Sequence, residues 1–312
     1  MAAPQTPTVA PRALDARAVR AITRRLARAE APWLHREVAR RMAERLPVIR
    51  KQPSAVIEWS AWLGGSDEAL QAAYPEAQRV IVESDAALLA RMSSQAQRPW
   101  WSPRRWLHAV PPVLAPEALP PAAGELLWSN MMLHAVCDPP ALMAQWQQAL
   151  AVEGFLMFST LGPGTLPELR ALYEQAGWGL PMAELVDMHD LGDMLLRAGF
   201  ADPVMDQETI TLTFASPASA LAELRTLGGN AAPGRFAGLR TPRWRRRLEQ
   251  ALQGQADPHG RIALRFEVVY GHAFRPAPQA RVQPRTEVSL EAMREMVRSG
   301  RPTRGGEPGR VR

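Results

Sequence analysis

Acidic, amide and hydroxyl side chains stand directly after the apolar segments of this sequence. Glu58 lies at the end of the apolar segment SAVIEW, Glu83 follows RVIV, and Ser129 and Asn130 follow ELLW. If these segments are parallel strands of an open α/β sheet, the polar side chains gather at the carboxyl ends of the strands, where such sheets bind ligands. His134, four residues beyond Asn130, would line the same edge. The pattern predicts a site that holds a polar ligand by hydrogen bonds.

The residues present exclude several other kinds of site. The six histidines show no His-x-x-x-His or comparable spacing, so we expect no metal site. The segment GPGT at residues 162–165 lacks the spacing and the lysine of a phosphate-binding loop. Cys137 is the single cysteine, which excludes an internal disulfide bond and a zinc cluster built from cysteines.

The segments that must position the site alternate between strand and helix patterns. Apolar runs predict strands at residues 54–59, 79–83, 106–110, 125–129, 155–160, 207–214 and 261–274. Helical spacing of apolar residues predicts helices at residues 34–49, 66–73, 85–92, 140–151, 165–177 and 190–198. This alternation predicts an α/β fold with a mainly parallel sheet, helices on both of its faces and an antiparallel last strand.

Composition limits the class of protein and its surroundings. Of 312 residues, 46% are hydrophobic and 22% are charged, which is typical of a globular chain of one or two domains. No run of about 18 apolar residues predicts a membrane span, and no charged start followed by an apolar core predicts a secretory signal. With one cysteine, the cytoplasm is the expected compartment. The net charge of +6 favours acidic partners but is too small to indicate nucleic acid.

The two ends of the chain differ in composition from its middle. Residues 1–17 are rich in Ala, Pro, Thr and Arg, and residues 275–312 mix Pro, Gly and Arg with few large apolar side chains. Both compositions predict flexible tails, with one short helix around residues 289–297. The predicted folded domain is therefore residues 18–274.

The second half of the chain carries several distinctive motifs. They are LWSN at 127–130, His134, DPP at 138–140, GFLMFST at 154–160, MHD at 188–190, GFADPVMD at 199–206 and FEVVYGHA at 266–273. In these motifs the chain resembles the malonyl-acyl carrier protein O-methyltransferases of biotin synthesis, over about residues 24–274. The resemblance implies a Rossmann-like class I methyltransferase fold. It also implies methyl transfer from S-adenosylmethionine to the free carboxylate of a malonyl thioester.

The resemblance also implies a cofactor site in the first half of the chain. The family has an acid and three alternating glycines after its first strand, which correspond here to EWSAWLG at residues 58–64. Glu58 and Gly64 are retained, whereas Ser60 and Trp62 replace the first two glycines. Glu83 matches the acid that accepts hydrogen bonds from both ribose hydroxyls.

Two further groups of residues receive roles from the resemblance. Ser129 and Asn130 are expected at the methionine end of the cofactor. His134, just beyond the fourth predicted strand, is the candidate to line the substrate site and to orient the carboxylate that is methylated; the alternative is a histidine that only makes structural hydrogen bonds. That carboxylate is already ionised at neutral pH, so the reaction requires no general base.

A dense group of arginines suggests where a partner binds. Residues 240–247 contain five arginines, among them Arg243, Arg246 and Arg247. Guanidinium groups pair well with carboxylates and phosphates, and a carrier protein is acidic, so these three arginines are a candidate docking surface. The alternative is a helix face that is only solvated.

The replaced glycines leave two hypotheses open. Glycine permits a positive φ and a close approach of ligand to backbone. An indole at residue 62 that points into the pocket would overlap the cofactor, and one that points away would leave the site usable but narrower. The family's adenine-side Asp also has no counterpart before Glu117. The chain is therefore either the methyltransferase or a catalytically inactive relative that acts as a binding, scaffold or regulatory module.

Overall fold

The structure, a computed structural model, describes residues 14–96 and 111–278, together with residues 291, 293, 294 and 298. The chain divides into two units, residues 1–277 and 278–312, and every element named below belongs to the first. Residues 291, 293, 294 and 298 of the second unit are helical, in the region where the sequence predicts a short helix.

A seven-stranded sheet forms the centre of the first unit. Its strands are β1 (Ala55–Trp59), β2 (Gln78–Val82), β3 (Val113–Leu114), β4 (Gly124–Ser129), β5 (Leu150–Leu161), β6 (Ala201–Phe214) and β7 (Ile262–Phe274). The strands lie in the order β3-β2-β1-β4-β5-β7-β6. Strands β1 to β5 are parallel, and β7 runs antiparallel to both β5 and β6. The predicted mainly parallel sheet with an antiparallel last strand is confirmed.

Helices surround this sheet. The α-helices among the described residues are α1 (Ala16–Leu26), α2 (Trp33–Ala43), α3 (Ala61–Gly64), α4 (Asp67–Ala73), α5 (Ala86–Ala96), α6 (Pro139–Ala149), α7 (Pro167–Gln175), α8 (Met188–Arg197), α9 (Pro217–Thr226) and α10 (Pro242–Gln253). Short 3₁₀ helices lie at Leu46–Val48, Pro116–Ala118 and Leu133–Ala135. In the part of the chain that the structure describes, no helix is both long and apolar enough to cross a lipid bilayer.

The central strands are apolar on both faces because each face packs against helices. Alternate residues of one strand therefore enter different cores: Val56 of β1 lies in the same core as Leu126 of β4, whereas Ile57 and Leu127 lie in the other. All four side chains are essentially inaccessible to solvent. This double burial holds the carboxyl ends of β1 and β4 in fixed positions at the edge where the candidate site lies.

Several segments differ from the prediction in their boundaries, position or type. The helix predicted at 34–49 ends at Ala43, and Pro47 follows in a separate 3₁₀ turn, because proline lacks the N–H that an α-helix interior requires. The strand predicted at 106–110 lies outside the described residues, and Val113–Leu114 takes the third position in the sheet. Helix α1 begins at Ala16, inside the segment predicted as a tail, with the Asp15 side chain as its N-cap.

Two strands are longer than the sequence predicts. Strand β5 begins at Leu150 rather than at residue 155, because Leu150 pairs with Gly124 ahead of a register shift in the β4–β5 ladder. Strand β6 begins at Ala201 rather than at residue 207, and a register shift between Ala201 and Val204 accommodates Pro203. Proline is tolerated there because β6 is an edge strand.

Candidate functional site

The carboxyl ends of β1, β2 and β4 meet at one level of the sheet. Trp59, the last residue of β1, is in register with Val82 at the end of β2 and with Ser129 at the end of β4. The loop residues that follow these strands are therefore neighbours in space. The structure thus brings together the segments that contain Glu58, Glu83 and Asn130.

Ser60 occupies the loop position where the family has its first glycine. Its backbone is left-handed, with φ 58° and ψ 48°, and its N–H donates to the carbonyl of Val82 at 2.8 Å. A residue with a Cβ atom is strained in this region. Ser60 therefore has the left-handed backbone conformation that glycine adopts readily, and the protein tolerates the conformational strain of a serine there.

The last glycine of the loop is retained because the chain is crowded there. A Cβ atom on Gly64 would lie 3.3 Å from the backbone oxygen of Asn130. Such a contact is tighter than most real ones, so a side chain would force the β1 and β4 loops apart. Gly64 therefore lets these two loops pack against each other.

The indole of Trp62 lies against the connection between α1 and α2. Its Nε1 donates to the carbonyl oxygen of Ala29 at 3.0 Å. The guanidinium of Arg91 stacks on the indole with its Cζ 4.3 Å from the ring centroid, and donates to the carbonyl of Ala27 at 2.5 Å. The ring packs against a small buried cluster that includes Leu26 and Leu88. Trp62 thereby joins the loop after β1 to the end of α1.

Glu83 is a buried carboxylate at the end of β2. It is 2% exposed, and its Oε1 accepts a hydrogen bond from the backbone N–H of Trp62 at 3.0 Å. Burial raises its pKa from 4.5 to about 7, and repulsion from Glu58 and Asp85 adds to the effect. Within the described part of the chain, no cation forms an ion pair with Glu83. A ligand that offers hydrogen-bond donors would relieve the cost of this buried group.

Glu58 is engaged in an internal ion pair. Its Oε2 lies 2.5 Å from Nη2 of Arg79, and Nη1 of Arg79 lies 2.7 Å from Asp67. Burial raises the pKa of Glu58, and the Arg79 guanidinium opposes that rise. Its other oxygen, Oε1, is buried and accepts no hydrogen bond from any described residue. One carboxylate oxygen thus fixes the start of the loop, and the other remains an unsatisfied acceptor.

Asn130 ties together the segments around the site. Its Nδ2 donates to the carbonyl of Gly64 at 2.6 Å and to the carbonyl of His35 at 2.7 Å, and its Oδ1 accepts from the Ser159 hydroxyl at 2.6 Å. The side chain is buried, both of its N–H donors are used, and its oxygen accepts one hydrogen bond. Ser129, beside it, is also buried. Asn130 is placed at the expected edge, where it holds protein segments together.

A largely apolar cavity of about 90 Å³ lies beside this edge, under α1. His134 lines it from the 3₁₀ turn after β4, and Leu63 lines it from the loop after β1. The rings of His134 and His35 meet edge to face, with centroids 6.4 Å apart. His134 therefore lines a cavity beyond β4, and its role toward a substrate stays a prediction.

Neither the α1 side of this cavity nor His35 was predicted from the sequence. Val19, Ile22 and Leu26 line the cavity from α1. Their spacing of three and four residues is typical of a helix with one apolar face, and it is the signal that could have predicted α1. His35 had no local signal, because its proximity to the cavity depends on how α2 packs.

The arginine group lies elsewhere on the surface. Arg243, Arg246 and Arg247 are exposed on α10, and none of them lines the cavity. Arg245 pairs with Glu249, whereas the three other arginines form no ion pair with any described residue. Arg240 donates instead to the carbonyl of Trp178 and stacks on Phe236 and Trp244. In residues 14–96 and 111–278, no group of three or more His, Cys, Asp or Glu side chains could hold a metal ion.

Similarity to other proteins agrees with this architecture. Residues of the chain are 40% identical over 254 positions to the malonyl-acyl-carrier protein O-methyltransferase of Laribacter hongkongensis, with 80% of this chain and 84% of that protein covered. They are 39% identical over 251 positions to the enzyme of the same name from Gallionella capsiferriformans, with 79% and 85% covered. No model of a protein family matches the chain.

The fold also has a counterpart among solved structures. The YcgJ protein of Bacillus subtilis superposes with a TM-score of 0.51 at 11% identity, covering 78% of this chain and 99% of that one. The resemblance inferred from the motifs and the predicted Rossmann-like fold are both confirmed. On its sequence similarity along about four-fifths of its length, the chain belongs to the malonyl-acyl-carrier protein O-methyltransferases.

Proposed function

We propose that this protein transfers a methyl group from S-adenosylmethionine to the free carboxylate of a malonyl thioester on acyl carrier protein, as a step of biotin synthesis. The structural observation that carries the proposal is the buried carboxylate of Glu83 at the end of β2, which has no cationic partner among the described residues. The reaction and its acceptor come from the family to which the chain belongs.

Glu83 suits the ribose of S-adenosylmethionine. Its pKa of about 7 is raised chiefly by burial, so donors that approach the carboxylate stabilise its charged form. A ribose offers two adjacent hydroxyl donors, and a carboxylate can accept from both. Glu58, Ser60, Trp62 and Gly64 would form the loop beneath the cofactor, with Ser129 and Asn130 shaping the end of the site. Bound there, S-adenosylmethionine supplies an electrophilic methyl group on a sulfonium.

The protein's own part in the chemistry is to position the nucleophile and to exclude water from it. The malonyl carboxylate is ionised at neutral pH and needs no proton removed before it attacks. An apolar cavity excludes water from that carboxylate. Holding the carboxylate in a fixed position relative to the methyl group makes the reaction effectively intramolecular. His134 lines this cavity, where its ring can donate a hydrogen bond that orients the acceptor.

The acceptor's protein part would bind on α10. Arg243, Arg246 and Arg247 are exposed cations without ion-pair partners among the described residues. An acidic carrier protein complements such a surface, and the attraction speeds its association.

The alternative of an inactive binding module has lost its main support. It rests on Ser60 and Trp62 in place of glycines and on the missing adenine-side Asp. Ser60 adopts the left-handed backbone of a glycine, and the Trp62 ring bonds to Ala29 at the end of α1. The similar proteins are named as methyltransferases and give the alternative no support.

A direct assay tests the proposal. Purified protein is incubated with methyl-labelled S-adenosylmethionine and malonyl-acyl carrier protein, and the methyl ester is detected by mass spectrometry. We expect transfer by the wild type and a large loss in Glu83→Gln, with activity retained in Glu76→Gln, an exposed acid in the α4–β2 connection. The absence of methyl ester with folded wild-type protein would contradict the proposal.

A further inference from the structure

His35 is buried between the loop after β1 and the cavity. Its side chain is on α2, is 3% exposed and lines the cavity together with Leu63 and His134. Its Nδ1 lies 2.7 Å from the carbonyl oxygen of Leu63. Its own carbonyl accepts from Asn130, so the residue is held at both its backbone and its ring.

These contacts determine which ring nitrogen carries the proton. The carbonyl of Leu63 can only accept, so Nδ1 must be the donor. Burial lowers the pKa of His35 to about 4, which keeps the imidazole neutral at pH 7. In this tautomer Nε2 presents a lone pair and acts as an acceptor.

The acceptor at Nε2 has no donor among the residues that the structure describes. Nε2 is buried, and none of the described residues forms a hydrogen bond with it. Buried polar atoms are nearly always paired, and an exception calls for an explanation such as a ligand. The cavity beside it is lined mainly by apolar side chains, including Ile22 and Met131.

We infer that Nε2 of His35 accepts a hydrogen bond from an N–H group of a molecule bound at this site, and so positions that molecule. The inference rests on the proposed function. Two molecules in that reaction bring N–H donors: the cofactor, through the ammonium group of its methionine end and the amino group of its adenine, and the acceptor, through the amide groups of its pantetheine arm. His35 also supports the cofactor loop through Leu63, so the two ring nitrogens have separate tasks.

Two substitutions separate these tasks. In His35→Asn, the side-chain amide N–H lies near the former Nδ1 and can still donate to Leu63, but nothing replaces Nε2. In His35→Gln, the longer side chain can place an amide oxygen near the former Nε2. The readouts are calorimetric affinity for S-adenosylhomocysteine, KM for malonyl-acyl carrier protein, and melting temperature.

We expect His35→Asn to weaken one ligand by roughly tenfold or more, and His35→Gln to remain within about threefold of the wild type. A loss of S-adenosylhomocysteine affinity in His35→Asn assigns the donor to the cofactor. An unchanged affinity with a raised KM assigns it to the acceptor's amide. The inference is overturned if His35→Asn binds both ligands as the wild type does, or if His35→Gln loses as much as His35→Asn.

A measurement on the wild type covers the case in which a variant does not fold. In protein labelled with ¹⁵N-histidine, the resonance of the unprotonated Nε2 of His35 should shift when S-adenosylhomocysteine or the malonyl thioester is added. No shift with either ligand would overturn the inference. Failure of the proposed function would show differently, as wild-type protein that transfers no methyl group.

Discussion

The indole Nε1 of Trp62 donates a hydrogen bond of 3.0 Å to the carbonyl oxygen of Ala29, which joins the loop after β1 to the end of α1. Arg91 reinforces this link, because it stacks on the indole and donates to the carbonyl of Ala27. Since α1 lines the apolar cavity, Trp62 helps to hold one wall of the proposed acceptor site in place through its bond to Ala29.

Replacing Trp62 by glycine should therefore weaken the fold rather than open the cofactor site. Trp62→Gly removes the ring contacts and is expected to cost roughly 2–4 kcal/mol of unfolding free energy in urea titrations. Trp62→Phe, the control, retains a ring for Arg91 but loses the N–H donor and part of the ring area, at a cost of about 1–2 kcal/mol. Calorimetry with S-adenosylhomocysteine should find no gain in affinity for Trp62→Gly. Tighter binding by that variant would show that the indole obstructs the cofactor.

Ser60 should be a position where glycine stabilises the protein. Its φ of 58° is costly for a residue with a Cβ atom, and glycine removes that cost, so Ser60→Gly should raise the unfolding free energy by about 1 kcal/mol. Ser60→Ala keeps the Cβ atom and should stay within about 0.5 kcal/mol of the wild type. Urea unfolding measures both variants, and equal stabilities for Gly and Ala would argue against strain at this residue.

Glu83 should make the stability of the ligand-free protein depend on pH. Its pKa rises from 4.5 to about 7 on folding, chiefly through burial. Between these values the folded state holds a proton that the unfolded state has lost, so stability falls as pH rises from about 4.5 to about 7 and then levels off. The contribution is on the order of 3 kcal/mol.

Substitution of Glu83 isolates this effect. Glu83→Gln retains an acceptor for the Trp62 N–H and does not titrate. Urea unfolding at pH 5 and pH 8 should show a smaller difference in this variant than in the wild type. The same variant should bind S-adenosylhomocysteine at least tenfold more weakly, because a carboxylate accepting hydroxyl donors is lost. An unchanged pH dependence would place the titrating group elsewhere.

The arginines of α10 should matter for the carrier protein and not for the small thioester. Reversing Arg243, Arg246 and Arg247 to Glu together should raise KM for malonyl-acyl carrier protein about tenfold at low salt, an effect that higher salt screens. KM for malonyl-coenzyme A should change little. Acids near a helix N-terminus are favourable, so the helix itself should persist.

A charge control belongs with this experiment. Gln250→Glu combined with Gln253→Glu adds negative charge to exposed positions at the other end of α10 and keeps the three arginines. This double variant should leave both KM values near those of the wild type. Equal effects of the two variants, or equal effects on both acceptors, would indicate that the arginines form only a solvated face.

The strands and the site edge were predictable because their signals are local. Runs such as those of β1 and β4 are mostly apolar, since both faces of these strands are buried. The acids at the strand ends follow directly in sequence, so Glu58 and Glu83 were placed at the correct edge. Pairing between strands places several element boundaries away from their predicted positions, as in β5, which begins at Leu150 because that residue pairs with Gly124.

Tertiary contacts determine the side-chain directions and the hydrogen-bond partners of the site residues. The direction of the Trp62 indole depends on a carbonyl 33 residues away, and the Asn130 amide reaches His35 across 95 residues. The pairing of Glu58 with Arg79 likewise joins two strands. Residue type and periodicity determine which segments become helices and strands, because these preferences act over a few neighbouring residues. The direction of a side chain and the partner of a hydrogen bond depend on segments that only folding brings together, and no local pattern carries that information.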